Sequence, residues 1–177
     1  MIDFSRNYFE LFGLPQRFRF DPARLEQAYH GLQNEVHPDR HAGGGEAQRR
    51  VALQSSAHVN AAYGALKDPV ARANYLLSLH GIDALAETDT SLPMEFLERQ
   101  LERREAADEA VDDEDLRSID AIIADVRRDA RDLEDAVAIV LDEQHDYERA
   151  RTLVRQLKFL AKLTEDLMAL QARLDDF

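Results

Sequence analysis

The stretch Val36-His37-Pro38-Asp39-Arg40 separates two helical patterns and decides how the first half of the chain folds. Pro38 has a fixed φ and no N–H group, and it disfavours helical backbone at His37, so we expect the preceding helix to end there. His37 and Asp39 then flank a stiff turn that loses little conformational freedom on binding a charged surface. Because Pro and Asp are common in any turn between helices, the tripeptide alone is also compatible with a purely structural connection.

The helices on the two sides of this turn have recognisable ends. Asp21-Pro22 is typical of a helix start, and that helix runs to about Glu35 or Val36. After a glycine-rich loop, the next helix begins near Glu46 and is broken by Asp68-Pro69. Their predicted inner faces are Leu25, Ala28, Tyr29 and Leu32 in one helix, and Val51, Ser55, Val59, Ala62 and Leu66 in the other. Two helices so joined pack antiparallel, which exposes the turn at one end.

The charge of the chain changes sharply near Gly81. Residues 1–80 carry a net charge of +1, whereas residues 81–177 carry −14. We therefore predict two domains, residues 1–80 and 92–177, joined by a linker over residues 81–91. So acidic a surface argues against nucleic acid and anionic membranes as partners, since both are negatively charged.

The second half has the pattern of three helices, the first starting near Pro93. Two long apolar seams follow, separated by a break near Asp142-Glu143-Gln144-His145. The seams are Leu116, Ile119, Ile123, Val126, Ala130, Leu133, Val137 and Val140, and then Leu153, Leu157, Leu160, Leu163, Leu167, Leu170 and Leu174. Three antiparallel helices can bury these seams together, so the predicted fold class is all-α, with a C-terminal three-helix bundle. A coiled-coil dimer is the alternative.

The sequence contains little that indicates catalysis. There is no cysteine, which excludes disulfides and thiol chemistry and is compatible with the cytoplasm, the compartment we predict. His37 and His41 have the spacing of helical metal ligands, but Pro38 and the glycines after them disfavour that helix. No nucleophile accompanies His37 and Asp39. We therefore predict no enzymatic activity, catalytic residue, metal site or cofactor.

Taken together, three sets of motifs resemble the J-domain, the module by which co-chaperones engage DnaK-class chaperone ATPases. They are Tyr8-Phe9-Glu10-Leu11-Phe12-Gly13-Leu14, the His37-Pro38-Asp39 turn, and Val59-Asn60-Ala61-Ala62-Tyr63 with Leu66-Lys67-Asp68-Pro69 and Arg72-Ala73. Two runs narrow the resemblance to the HscB family of iron–sulfur cluster biogenesis: Leu11 to Pro15 and Tyr75 to Gly81. The resemblance extends over nearly the whole chain.

The resemblance implies two partners and no chemistry by the chain itself. A DnaK-class, HscA-like chaperone would bind His37, Pro38, Asp39 and Arg40, and its ATP hydrolysis would be stimulated. An IscU-like cluster scaffold protein would bind the second half, at Leu97, Leu101, Glu102, Glu105 and Phe159.

Two departures from the family pattern bear on these contacts. Glu98 stands where some relatives have an apolar residue, and the helix before the turn, with Glu26 and Glu35, is less basic than is usual. The alternatives are a J-domain adaptor for a different client, a structural acidic helical protein, and a small hydrolase using His37 and Asp39.

Overall fold

A computed structural model of the chain describes residues 2–36, 45–88 and 90–175, and all the regular structure in these residues is helical. The all-α fold class is thus confirmed. The chain divides into two compact units, Met1–Leu79 and His80–Phe177. The domain bounds predicted from the charge shift, including the linker, stay predictions.

The first unit contains α1 (Tyr8–Leu11), α2 (Pro22–Val36), α3 (Glu46–Lys67) and α4 (Pro69–Ser78). Its core includes the fully buried side chains of Phe9, Val59, Leu66 and Leu77. The short α1 is held at its start by a capping box, in which the Asn7 side chain accepts the Glu10 N–H and the Glu10 carboxylate accepts the Asn7 N–H. Asp68 caps α4 in a related way, by accepting the N–H of Ala71 at 2.7 Å.

Helices α2 and α3 form an antiparallel hairpin. Moving forward along α2, Glu26 accepts a hydrogen bond from the Tyr63 hydroxyl, and Tyr29 then donates to Asn60. Because the partner positions in α3 run backwards as those in α2 advance, the two helices are antiparallel, as predicted. The described residues of the hairpin end at Val36 in α2 and resume just before Glu46, where α3 begins.

One predicted core position in α3 is wrong. Val51 is 41% exposed, while its neighbour Ala52 is 5% exposed and belongs to the core. Ala52 lies three residues before Ser55 and Val51 lies four residues before it, and both spacings are compatible with one face of an α-helix. The prediction chose Val51 because valine is more hydrophobic than alanine. The buried face is instead Ala52, Ser55, Val59, Ala62 and Leu66.

The second unit is a three-helix bundle of α5 (Met94–Asp112), α6 (Leu116–Ile139) and α7 (Tyr147–Asp175). In α5 and α6, Arg99 pairs with Asp129 and Arg103 with Asp125, so these helices are antiparallel. The same is true of α6 and α7. The predicted seams meet in a core whose buried members include Ile119, Ile123, Val126, Leu160, Leu163 and Leu167. The bundle is therefore intramolecular, as predicted.

The connections in the bundle require special backbone geometry. Glu114 has φ of 54°, and Asp115 then caps α6 through the N–H groups of Arg117 and Ser118. After α6 the chain makes a π-helical turn, Val140–Gln144, that ends at His145 in the left-handed conformation. The second connection is the break predicted near residues 142–145, and the first lies at the acidic run of residues 112–115.

The segment predicted as a linker has no helix in its described residues, 81–88 and 90–91. It nevertheless belongs to the second unit, in which Ala84 is fully buried. Among the helices of the described residues, none combines the length and the apolar character needed to cross a membrane.

Candidate partner-binding site

The predicted chaperone-binding residues His37, Pro38, Asp39 and Arg40 lie outside the described residues, as does His41. The structure describes the helices on the two sides of these residues: α2 ends at Val36, and α3 begins at Glu46. Glu26, one of the acidic residues that make α2 less basic, is engaged within the hairpin. The pKa of Glu26 is lowered chiefly because the Tyr63 hydroxyl donates a hydrogen bond to its carboxylate. Burial raises the pKa, while Lys67 and His30 lower it by smaller amounts.

The predicted scaffold-binding residues of α5 lie on its outer face. Leu97 is 37% exposed and Leu101 is 58% exposed. Glu102 and Glu105 are also exposed, and the buried face of the helix consists instead of Gln100, Arg103, Ala107 and Ala110. Leu97 and Leu101 therefore add little to the bundle core, although leucines at helical spacing are usually buried.

Phe159 of α7 contacts the bundle core and also lines a surface groove. It is half-buried, packs against the bundle core, and meets the ring of Phe96 edge-to-face with 5.7 Å between ring centroids. It also lines, together with Leu97, a groove of about 590 Å³ that we call the α5–α7 groove. Its lining includes Ala84, Leu92, Leu97, Lys158, Phe159 and Lys162. The structure thus brings two of the three predicted apolar contacts to one surface, and Leu101 lies one turn of α5 further on.

A buried charged network fixes α5 against α6. Arg103, 8% exposed, donates to Asp125 and to Asp129, the latter at 2.7 Å, and also to Gln100 at 3.0 Å. Acidic residues on long helices are usually solvated. Asp125 and Asp129 instead pair with a buried arginine that the sequence pattern does not single out.

The pKa of the Asp125 carboxyl is lowered chiefly because Arg103 donates a hydrogen bond to it. Partial burial acts in the opposite direction, while the charges of Arg103 and Arg128 lower the pKa further. Asp125 is therefore ionised at neutral pH and neutralises Arg103 where the two helices meet.

Two histidines of the described residues, His58 and His80, contact aromatic rings. The ring of His58 contacts those of Phe4 and Tyr8, at centroid distances of 5.0 and 5.7 Å, and His80 stacks on Tyr147 at 4.0 Å. Within residues 2–36, 45–88 and 90–175, no group of three or more His, Asp or Glu side chains is placed to hold a metal ion.

Sequence reasoning missed the wall of the α5–α7 groove that residues 84–87, Thr90 and Leu92 form against α7. That contact is tertiary and has no periodic signal. The sequence did contain one signal for this groove, the charge of α7. All the charged residues from Arg149 to Thr164 are cations, although the second half of the chain is strongly acidic.

Three comparisons with known proteins bear on this site. Residues 92–168 match the family described as the HSCB C-terminal oligomerisation domain. A co-chaperone protein HscB homolog from Cupriavidus taiwanensis is 42% identical over 170 residues, which is 96% of this chain and 96% of that protein. Among solved structures, the chaperone HscB from Vibrio cholerae matches with a TM-score of 0.85 and 35% identity, over 96% of this chain and 99% of that one. The human co-chaperone protein HscB matches with a TM-score of 0.88 and 30% identity, over 95% and 83% respectively.

Proposed function

The chain belongs to the HscB family of co-chaperones, and from that premise we propose that it stimulates ATP hydrolysis by a DnaK-class, HscA-like chaperone and delivers an IscU-like iron–sulfur cluster scaffold protein to it. The chain performs no chemistry itself, and the cluster is cargo on the scaffold. The cytoplasm, with which the lack of cysteine is compatible, is the compartment proposed for this activity.

The chaperone contact is assigned to the turn between α2 and α3. His37, Pro38, Asp39 and Arg40 occur in the sequence between α2, which ends at Val36, and the antiparallel α3, which begins at Glu46. A side chain at the end of a rigid hairpin is accessible to a large partner and loses little entropy on binding.

The observation that carries the scaffold assignment is the exposure of two leucines on a helix whose opposite face is buried. Leu97 and Leu101 form the apolar centre of the proposed contact, and Phe159 extends it across the α5–α7 groove. Glu102 and Glu105 form its polar rim. An apolar centre with a charged rim is the usual anatomy of a protein interface, in which a few central residues contribute most of the binding energy.

Simultaneous binding of both partners would place the scaffold at high effective concentration near the substrate site of the chaperone. The decisive experiment measures chaperone ATP turnover with this protein and the scaffold, each alone and together. We expect modest stimulation by this protein alone and a larger effect with both, at concentrations where the scaffold alone has little effect. Equal turnover with and without this protein would contradict the proposed function.

A J-domain adaptor for a different client is the second candidate function. It predicts the same stimulation of the chaperone by this protein alone but no binding to the cluster scaffold. Titration of the scaffold into this protein, followed by calorimetry, therefore separates the two candidates.

A further inference from the structure

The α5–α7 groove is a built feature of the second unit. One wall consists of residues 84–87, Thr90 and Leu92, and Arg155 of α7 holds it in place. The Arg155 side chain, only 8% exposed, donates to the Ala84 carbonyl at 2.8 Å and to the Ser91 hydroxyl at 3.3 Å. Because buried charge-assisted hydrogen bonds hold this wall, the groove keeps its shape before a partner arrives.

The α7 side of the groove is basic. Five cations and no anion occur from Arg149 to Thr164, in a half of the chain with a net charge of −14. Three of them, Arg155, Lys158 and Lys162, line the groove, and the two lysines are exposed. Lys162 is partly neutralised by Asp166 at 3.1 Å and Glu165 at 3.5 Å, whereas Lys158 makes no ion pair with any residue in the described part of the chain.

Carboxylates predominate on the α5 side of the same surface, although Arg104 lies two turns beyond Leu97 on the same stripe. Helical geometry separates these carboxylates from the lysines of α7. Successive residues of an α-helix are about 100° apart. Phe96, which contacts Phe159 of α7, marks the side of Leu97 that faces α7. On the opposite side of Leu97, Leu101 lies about 40° round the helix. Carboxylates follow at about 80–140° from Leu97; they belong to Glu98, Glu102 and Glu105.

A partner crossing from α7 to α5 thus meets lysines, then apolar side chains, then carboxylates, while Glu87 lines the groove from its other wall. We propose that the α5–α7 groove receives an apolar segment of the cluster scaffold that bears a carboxylate, and that Lys158 and Lys162 are the specificity-determining residues that bind this carboxylate. This inference rests on the proposed function. The scaffold is the occupant because Leu97 and Phe159 belong both to the groove and to the proposed scaffold contact, so a partner that covers them reaches the lysines.

The opposite charges on the two sides would fix the orientation of the scaffold. A partner turned by half a revolution would place its carboxylate against Glu98, Glu102 and Glu105, and like charges brought together in an interface are strongly disfavoured. The two charged sides therefore select one register of a contact whose apolar centre has little directionality of its own.

The test compares Lys158→Glu with Arg149→Glu, in the full-length chain. Both variants change the net charge equally, and both residues are exposed on α7. Arg149 lies nine residues from Lys158, about 13 Å along the helix, which exceeds the distance over which physiological salt screens charges. We expect the Kd for the scaffold to rise at least about tenfold in Lys158→Glu and less than about twofold in Arg149→Glu.

A neutral variant of Lys158 and a change of salt concentration complete the test. Lys158→Gln is expected to raise the Kd about two- to fivefold, and the parent chain should lose more affinity than this variant when salt is added. Circular dichroism checks that the helix content is unchanged. Stimulation of the chaperone without scaffold should be equal in all these variants, because the proposed chaperone contact lies in the first unit.

The failures of the inference and of the proposed function are distinguishable. If Leu101→Ala weakens scaffold binding while Lys158→Glu binds like Arg149→Glu, the scaffold contact stands and the role of the lysines is overturned. If the parent chain does not bind scaffold at all, the proposed function fails and this inference fails with it. If instead the parent chain self-associates and Lys158→Glu abolishes only that association, the occupant is a second copy of the chain, and the inference is again overturned.

Discussion

Leu101 and Leu160 are the same residue type in opposite environments of the second unit. Leu101 is 58% exposed on α5, whereas Leu160 of α7 is fully buried in the bundle core. We expect Leu101→Ala to change the free energy of unfolding by less than about 0.5 kcal/mol, because little packing is lost. It should nevertheless weaken scaffold binding, since a central apolar contact is removed.

Leu160→Ala is the matched control and should behave in the opposite way. Removing a buried leucine leaves a cavity and costs about 2–5 kcal/mol of stability. Thermal melting and scaffold titration of both variants check the pair of predictions. A melting temperature that falls as far for Leu101→Ala as for Leu160→Ala would assign Leu101 to the core and leave the scaffold contact without its centre.

His37 carries the corresponding prediction for the chaperone contact. We expect His37→Gln to abolish stimulation of chaperone ATP hydrolysis without loss of helix content, and Asp39→Asn to act alike, because both are assigned to recognition and not to folding. The control is His30→Gln, since His30 is an exposed histidine of α2 that is 3.4 Å from Glu26. Stimulation by His37→Gln at the level of His30→Gln would mean that the turn does not contact the chaperone.

At the residue scale, sequence reasoning selected the scaffold-contact candidates by resemblance and not by pattern. Leu97 and Leu101 have the four-residue spacing that core leucines also have, so the period alone does not separate surface from core. Ala52 and Val51 illustrate the same limit, because one residue of rotation exchanges a buried position for an exposed one. What decides such cases is which neighbouring helix covers the face, and that is a property of the tertiary structure.

At the scale of elements, the contact between α5 and α6 depends on a charged network. Asp125→Asn removes one charge that neutralises the buried Arg103. The Asp125 side chain is 39% exposed, so solvent screening limits the loss, and we expect about 1 kcal/mol at neutral pH. The control is Asp132→Asn, an exposed position further along α6, which should melt like the parent.

The pH dependence of this effect follows from the lowered pKa of Asp125. A carboxyl whose pKa is lower in the folded state stabilises the fold above its unfolded pKa of about 3.9, and this contribution is lost as the pH falls through the folded pKa. The difference in melting temperature between Asp125→Asn and the parent should therefore be full at pH 7 and shrink below about pH 4. A difference that stays constant down to low pH would mean that the carboxylate charge does not stabilise the contact.

The helices themselves were predictable because each has local signals. The Asp21-Pro22 pair marks a helix start and the Asp68-Pro69 pair a helix break. The alternating steps of three and four residues in α6 and α7 indicate one buried seam in each. The Arg103 network and the tie from Arg155 to Ala84 have no such signal. Each joins residues far apart in the sequence, and a charged residue in a helix is solvated more often than buried.

At the scale of the whole molecule, the proposed activity requires two contacts on one chain, one in each compact unit. The charge shift near Gly81 indicated two parts, and the structure divides the chain between Leu79 and His80. A dissected chain should therefore begin at His80, because its ring stacks on Tyr147 in the second unit. We expect fragment 80–177 to be helical by circular dichroism and to bind scaffold with nearly the affinity of the full chain. Little helix in this fragment would mean that the two units share a core.

Separating the halves tests whether their covalent connection matters. The full chain holds the scaffold contact and the chaperone contact together, so scaffold binding in the ternary complex is effectively intramolecular. A mixture of fragments 1–79 and 80–177 retains both contacts but loses that advantage. In the absence of scaffold, we expect the mixture to stimulate ATP turnover to the same level as the full chain. When scaffold is present at a concentration below its own Kd for the chaperone, the mixture should lose most of the additional stimulation that the full chain gives. Raising the scaffold concentration should restore turnover, since mass action then replaces the effective concentration. If the mixture matches the full chain at every scaffold concentration, the chain does not act by bringing its two partners together, and the scaffold contact serves another purpose.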